Sequence, residues 1–201
     1  DKIIPIKNDN GEIYSFLALK EDITQSKKQA ELIQYQAERD SLTGIYNRRA
    51  GLNMLESIIE AAKINNEEMV LCFIDLNNLK YINDNFGHEK GDEMIRIFSK
   101  LVKTCLRADD IFFRFGGDEF IIIFKNSRIE ITESIWSRII EAFSEENKFN
   151  KKEYLLSASH GICKYDKDKY MTVEEFIKCA DAKMYEEKRK LKETNKSNND
   201  K

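Results

Sequence analysis

Asp75, Asp118 and Glu119 are the residues whose type and spacing point most directly to chemistry. Asp75 closes a continuous apolar run, Met69 to Ile74, the form of a buried strand that delivers a carboxylate at its end. Asp118 and Glu119 follow Gly116-Gly117 in the gap between two more apolar runs, Ile111 to Phe115 and Phe120 to Phe124, which read as the strands of a tight hairpin. If these strands are neighbours, three carboxylates converge. Their mutual repulsion costs free energy unless a cation compensates, and oxygen ligands suit Mg²⁺. Each acid taken singly is also an ordinary solubilising residue, so spacing leaves both readings open.

Further residues could serve an anionic ligand. Gly116-Gly117 permits positive φ and close backbone approach, which suits a phosphate site and a plain hairpin alike. Asn83, Asp84, Gly87, His88, Gly91 and Asp92 form a polar, glycine-rich stretch between two helical patterns, either a binding loop or a simple connection. Lys80, and Lys188, Arg189, Lys190 and Lys192 near the end, could meet a triphosphate or merely compensate a helix dipole. His160, between Ser159 and Gly161 on an expected strand, reads as structural, and His88 as shaping its loop. Cys72, Cys105, Cys163 and Cys179 lie far apart inside apolar runs with no CxxC pair, and are expected as reduced, buried thiols of a cytoplasmic protein.

The elements that must position these groups follow from periodicity. Residues 3 to 23 alternate polar and apolar around Asn10-Gly11, giving two short strands that are marginal alone and so belong to a larger domain. From Thr24 to Arg39 the pattern turns helical, with Ile23, Ala30 and Ala37 at heptad spacing, which suits a coiled coil or a single amphipathic linker helix. Helices are expected over Arg48 to Lys63, from Asp92 as N-cap to Cys105, around Ile131 to Phe143, and over Val173 to Lys190. A strand pair is expected around Leu155 to Tyr165, and a disordered tail over 193–201. Strands alternating with helices, with at least one antiparallel hairpin, give an α+β or mixed α/β class with helices packed on a central sheet.

Composition excludes several functions. The chain has 201 residues, 41% hydrophobic and 34% charged, with a net charge of −3, so it has no global attraction for nucleic acid or anionic lipid. No run approaches the ~20 apolar residues of a membrane span, so no membrane contact is expected from this fragment, although the full-length protein could be tethered upstream.

Together these residues resemble the GGDEF family of diguanylate cyclases. The signature stands as Gly116-Gly117-Asp118-Glu119-Phe120 after Arg114-Phe115, with further matching blocks at Asp40 to Arg49, Asp75 to Asp92, and Ala180-Asp181 through Tyr185 and Lys188. The resemblance covers 40–192; residues 1–23 resemble the last strands of a PAS sensor domain and 24–39 its signalling helix. It implies a mostly antiparallel five-stranded sheet flanked by helices, ferredoxin-like and of the nucleotidyl-cyclase palm type. It also implies condensation of two GTP into cyclic di-GMP by a homodimer.

By the same resemblance Asp75, the Leu76 carbonyl, Asp118 and Glu119 hold Mg²⁺, with Mn²⁺ as an alternative ion. Asp118, Glu119 and Lys80 are catalytic. Asn83 and Asp92 select guanine, Lys188 binds the triphosphate, and Lys192 stands where the family usually has Arg. Arg107 and Asp110 match an RxxD product-inhibition site, to which Arg138 could contribute. The alternative is an inactive GGDEF module that binds GTP or cyclic di-GMP and signals by contact.

Overall fold

The computed structural model describes residues 2–65, 67–149, 154–169 and 172–199. The chain divides into two units, Asp1–Ala37 and Glu38–Lys201. In the first, β1 (Lys2–Lys7) and β2 (Ile13–Leu19) form an antiparallel hairpin, followed by α1 (Thr24–Glu38). Asn8 organises the turn, its Oδ1 accepting from the backbone N–H of Asn10 at 3.1 Å and of Glu12 at 2.9 Å. Ile3, Tyr14, Phe16 and Leu17 are exposed, and so are Leu32, Ile33 and Tyr35 on α1.

In the second unit the elements run α2 (Arg48–Asn65), β3 (Met69–Leu76), α3 (Leu79–Phe86), α4 (His88–Cys105), β4 (Ile111–Arg114), β5 (Glu119–Lys125), α5 (Ile129–Phe149), β6 (Ala158–Lys164) and α6 (Val173–Asn199). Asn47 caps α2, its Oδ1 accepting from the Ala50 N–H at 3.0 Å. The strands pair antiparallel in the order β4-β5-β3-β6. The central strand β3 is buried along its whole length, which is why it reads as an unbroken apolar run.

Alternation along the strands sorts the core into two layers. Val70, Cys72, Ile74 and Leu76 of β3 and Phe120, Ile122 and Phe124 of β5 pack against α3, α4 and α5 through Ile82, Phe98 and Ile139. Met69, Leu71 and Phe73 with Ile121 and Ile123 pack on the opposite face against α2 and α6 through Leu55, Ile59 and Phe176. By the same period-two rule Asp75 and Glu119 belong to the face that carries α2 and α6. The burial on both faces gives the second unit a closed core.

Several expectations change. Among the described residues the central sheet has four strands where five were expected; Tyr46 adds only isolated bridges, antiparallel to Arg39 and parallel to Phe113. Around 155–165 only β6 forms, since Tyr154 to Ser157 lie outside any strand. The helix expected to begin at Asp92 begins at His88, because Gly87, at φ 86°, turns the chain directly from α3 into α4. The backbone of α6 stays helical through Asn199, replacing the disordered tail over its described part. Cys163 and Cys179, expected as thiols, are joined in a disulfide. Sequence spacing could not reveal this pair, because the contact depends on α6 lying against β6. Gly161 allows that approach: a Cβ there would sit 2.0 Å from the Ala180 carbonyl oxygen and 2.3 Å from the Met184 nitrogen.

Candidate active site

Antiparallel pairing sets Asp75 at the end of β3 directly opposite Glu119 at the start of β5. The Leu76 N–H donates to the Asp118 carbonyl at 2.9 Å, which fixes the β4–β5 turn against the end of β3. All three acids expected to act together therefore come from one corner of the sheet. Lys188 reaches Asp75 from α6, Nζ to Oδ1 at 2.6 Å, on a carboxylate that is only 7% exposed as a residue. A buried carboxylate needs such a partner, since an uncompensated charge there would be costly.

Glu119 is held above the ordinary carboxylate range, first by desolvation and then by the negative charges of Asp118, Asp75 and Asp181, with Arg48 opposing the shift. Asp181 lies on α6 and Arg48 begins α2, the two helices on the face that Glu119 shares.

The turn itself is clamped by Arg114. Its Nε donates to the carbonyls of Gly116 at 3.2 Å and Gly117 at 3.1 Å, and Nη2 to Gly117 at 2.8 Å. Nη1 meets both carboxylate oxygens of Asp40 at 3.3 Å. Asp40 in turn accepts from the Thr43 N–H at 3.0 Å and hydroxyl at 2.7 Å. A turn that must place two acids is thus anchored to the segment before α2. Asp40 and Arg114 both fall within the matching motifs, but local sequence assigns neither a role, because their partnership joins positions far apart in the chain.

Leu76, Lys80, Asp118 and Lys188 line one cleft of about 780 Å³ between the sheet edge, α3, α5 and α6. Trp136 and Glu187 also line it. Glu187 accepts from the His160 N–H at 2.5 Å and meets its Nδ1 at 3.0 Å, while the His160 ring stacks on Trp136 with centroids 4.2 Å apart. Burial acts to raise Glu187, but the His160 hydrogen bonds and charge outweigh it and hold this carboxyl below its ordinary range. Asn77 accepts from the Ser159 hydroxyl at 3.0 Å, tying the residue after Leu76 to β6.

Asn83 and Asp92 sit on facing helices rather than on a loop, α3 and α4. The Asn83 side chain lies over Gly91, where a Cβ would fall 1.9 Å from its Oδ1. Neither residue lines the cleft that holds Lys80 and Lys188, although Asp84 does. The side chain of Lys192 lies outside the described ones.

A separate turn carries Arg107 and Asp110. The Arg107 N–H donates to the Asp110 carboxylate at 2.9 Å, and the Asp110 N–H returns to the Arg107 carbonyl at 3.2 Å. Arg138 reaches across from α5 to the Cys105 carbonyl at 2.6 Å, at the end of α4 just before this turn. Burial raises Asp110, against the backbone bond and charge of Arg107 and the charge of Arg138.

Among the described residues, no group of three or more His, Cys, Asp or Glu side chains stands close enough to hold a metal ion. The three expected carboxylates converge at one corner of the sheet. The donor set still fits a hard cation: carboxylate and carbonyl oxygens suit Mg²⁺, and the accumulated negative charge around Glu119 is what such an ion offsets. No helix among the described residues is long and apolar enough to cross a membrane.

The family model described as diguanylate cyclase, GGDEF domain, matches residues 37–194. The probable diguanylate cyclase DgcC of Escherichia coli (strain K12) is 31% identical over 157 residues, which cover 78% of this chain and 42% of that protein. The cyclic di-GMP phosphodiesterase PdeR of the same strain is 33% identical over 141 residues, 70% of this chain and 21% of that protein. The chain thus spans less than half the length of these two relatives. Among solved structures, the coiled coil and GGDEF domain of DgcB from Caulobacter crescentus in complex with c-di-GMP superposes with a TM-score of 0.76. That match has 23% identity, covers 84% of this chain and 89% of that one, and is a likeness of fold.

Proposed function

The chain belongs to the GGDEF family of diguanylate cyclase domains, and on that premise we propose that its second unit condenses two GTP molecules into cyclic di-GMP. The observation that carries this reading is the corner where Asp75 faces Glu119, with Asp118 beside them and Lys188 on Asp75. In each of two steps the 3′-hydroxyl oxygen of one GTP attacks the α-phosphorus of the other. The bond to the β-phosphate bridging oxygen breaks, and pyrophosphate leaves. A Mg²⁺ or Mn²⁺ ion bound by Asp75, the Leu76 carbonyl, Asp118 and Glu119 would offset phosphate charge and acidify the hydroxyl.

The protein's own groups do the rest. Asp118, Glu119 or both would help to take the hydroxyl proton. Lys80 and Lys188 border the same cleft and supply positive charge to the triphosphate and to the departing pyrophosphate. The Arg114–Asp40 clamp keeps the acid-bearing turn in place, so little reorganisation is needed as charge develops. Asn83 and Asp92 would read guanine, since a carboxylate can accept from both N1–H and the exocyclic amine, neither of which adenine presents there. Lys192 would add charge without the bidentate fork of Arg.

Because one domain holds one GTP, a homodimer is required, and α1 is the segment suited to bring two copies together. The Arg107–Asp110 turn, with Arg138 at the end of α4, would hold cyclic di-GMP as a feedback inhibitor. On this reading the reaction would run in the cytoplasm, where GTP is available. The second reading, a non-catalytic binding module, draws on the resemblance to PdeR, a protein named for the opposite activity.

Purified chain at high concentration with GTP and Mg²⁺ should release pyrophosphate and form cyclic di-GMP. Asp118→Ala and Glu119→Ala should each lower turnover by at least ~10²-fold, the scale of losing one group that acts only in the transition state. GTP binding without product, unchanged when the chain is fused to a dimerising partner, would favour the binding module instead.

A further inference from the structure

At the end of β6 remote from the acids, a second cleft of about 630 Å³ is lined by Cys163, Cys179, Lys183 and Tyr165. The two sulfurs are bonded to each other across the contact between β6 and α6. Cys163 is buried, whereas Cys179 is partly exposed and so is the sulfur an incoming reagent would meet. Lys183 stands one helical turn beyond Cys179 and lines the same cleft, its Nζ donating to the Ile162 carbonyl at 2.7 Å. Positive charge near a sulfur favours the thiolate, the form that reacts in exchange, and Lys183 is one of the cations lining this cleft. Cys72, by contrast, is buried among core side chains, and its thiol is pushed up by that burial and by the charge of Glu187.

We propose that Cys163 and Cys179 form a thiol–disulfide exchange site whose reactant is a low-molecular-weight thiol or its disulfide, entering through this cleft. In reduction, a reagent thiolate RS⁻ attacks Cys179 Sγ and the intramolecular S–S bond breaks. Cys163 leaves as a thiolate and takes up a proton. A second RS⁻ then attacks the reagent sulfur of the mixed disulfide, releasing Cys179 as a thiolate that is also protonated. The net change is one protein disulfide plus two RSH giving two protein thiols plus RSSR, and oxidation is the reverse.

The bond has a structural consequence. It staples α6 to β6 beside Gly161, where the helix backbone already lies against the strand, and α6 further along carries Glu187 and Lys188 to the other cleft. The exchange site does not depend on the chain turning over GTP.

The test uses the purified chain equilibrated in reduced and oxidised glutathione at stepped ratios, acid-quenched, alkylated and mapped by peptide mass spectrometry, with thermal unfolding followed in parallel. The Cys163–Cys179 link should appear and disappear reversibly in the folded chain as the ratio changes, while Cys72 stays unmodified. The oxidised form should unfold roughly 6–12 °C above the reduced one, the scale for closing a loop of about this length in a chain of this size. In a Cys163→Ser/Cys179→Ser variant this dependence on glutathione should vanish. Two results would overturn the proposal on the parent chain alone: both cysteines alkylated at every ratio, or a link that resists glutathione until the protein unfolds.

Discussion

The hairpin and helix of the first unit carry large apolar side chains, and Phe16, Tyr14, Ile33 and Tyr35 among them stay exposed. In the second unit, side chains of the same kinds vanish into two layers around β3. The difference lies in what each sheet has to pack against. Two strands offer no second layer, whereas a four-stranded sheet with helices on both faces buries both sides of its central strand. Precise placement of charge follows burial: the 2.6 Å Lys188–Asp75 pair and the Arg114–Asp40 clamp both lie in the second unit. Apolar content alone does not make a core; the layers that cover it do.

This contrast can be broken most directly at Gly161. A Cβ there would meet the backbone of α6, which cannot swing aside as a flexible side chain could. Gly161→Ala should therefore cost about 3 kcal/mol, or ~6–12 °C in Tm for a chain of this size, read by calorimetry. An unchanged Tm would mean that α6 does not rest on β6 as described.

A smaller effect should appear at Glu187. Its folded carboxyl lies below the unfolded value, so it contributes stability above that ordinary range, near pH 4.5, and loses it as pH falls through the lower folded value. Glu187→Gln should lower Tm at neutral pH and flatten the fall of Tm on acidification below about pH 5. The group is partly exposed, so the neutral-pH loss should stay near ~1 kcal/mol. A parallel Tm–pH curve in the variant would remove His160 as its stabilising partner.

The smallest change is expected in the first unit. Phe16 is exposed, and Phe16→Ser should leave the main unfolding transition within ~0.5 kcal/mol. A large downward shift would show that the hairpin is covered in solution and would erase the contrast between the units.

The amino-acid sequence by itself determined the strand β3 that ends in Asp75, the hairpin that carries Asp118 and Glu119, the helices α1, α2, α5 and α6 with the body of α4, and the family. Each of these is written in local periodicity, turn residues or contiguous motifs, and short-range sterics and burial act on neighbours in the chain. Only the tertiary structure decided that Arg114 grips Asp40, that Glu187 binds His160 under Trp136, and that Asn83 and Asp92 ride on helices joined at Gly87. It also decided that Cys163 and Cys179 meet, since that contact follows from how closely α6 approaches β6 over Gly161. Such pairings join distant positions, and their energies depend on the burial and register that the assembled sheet and helices create.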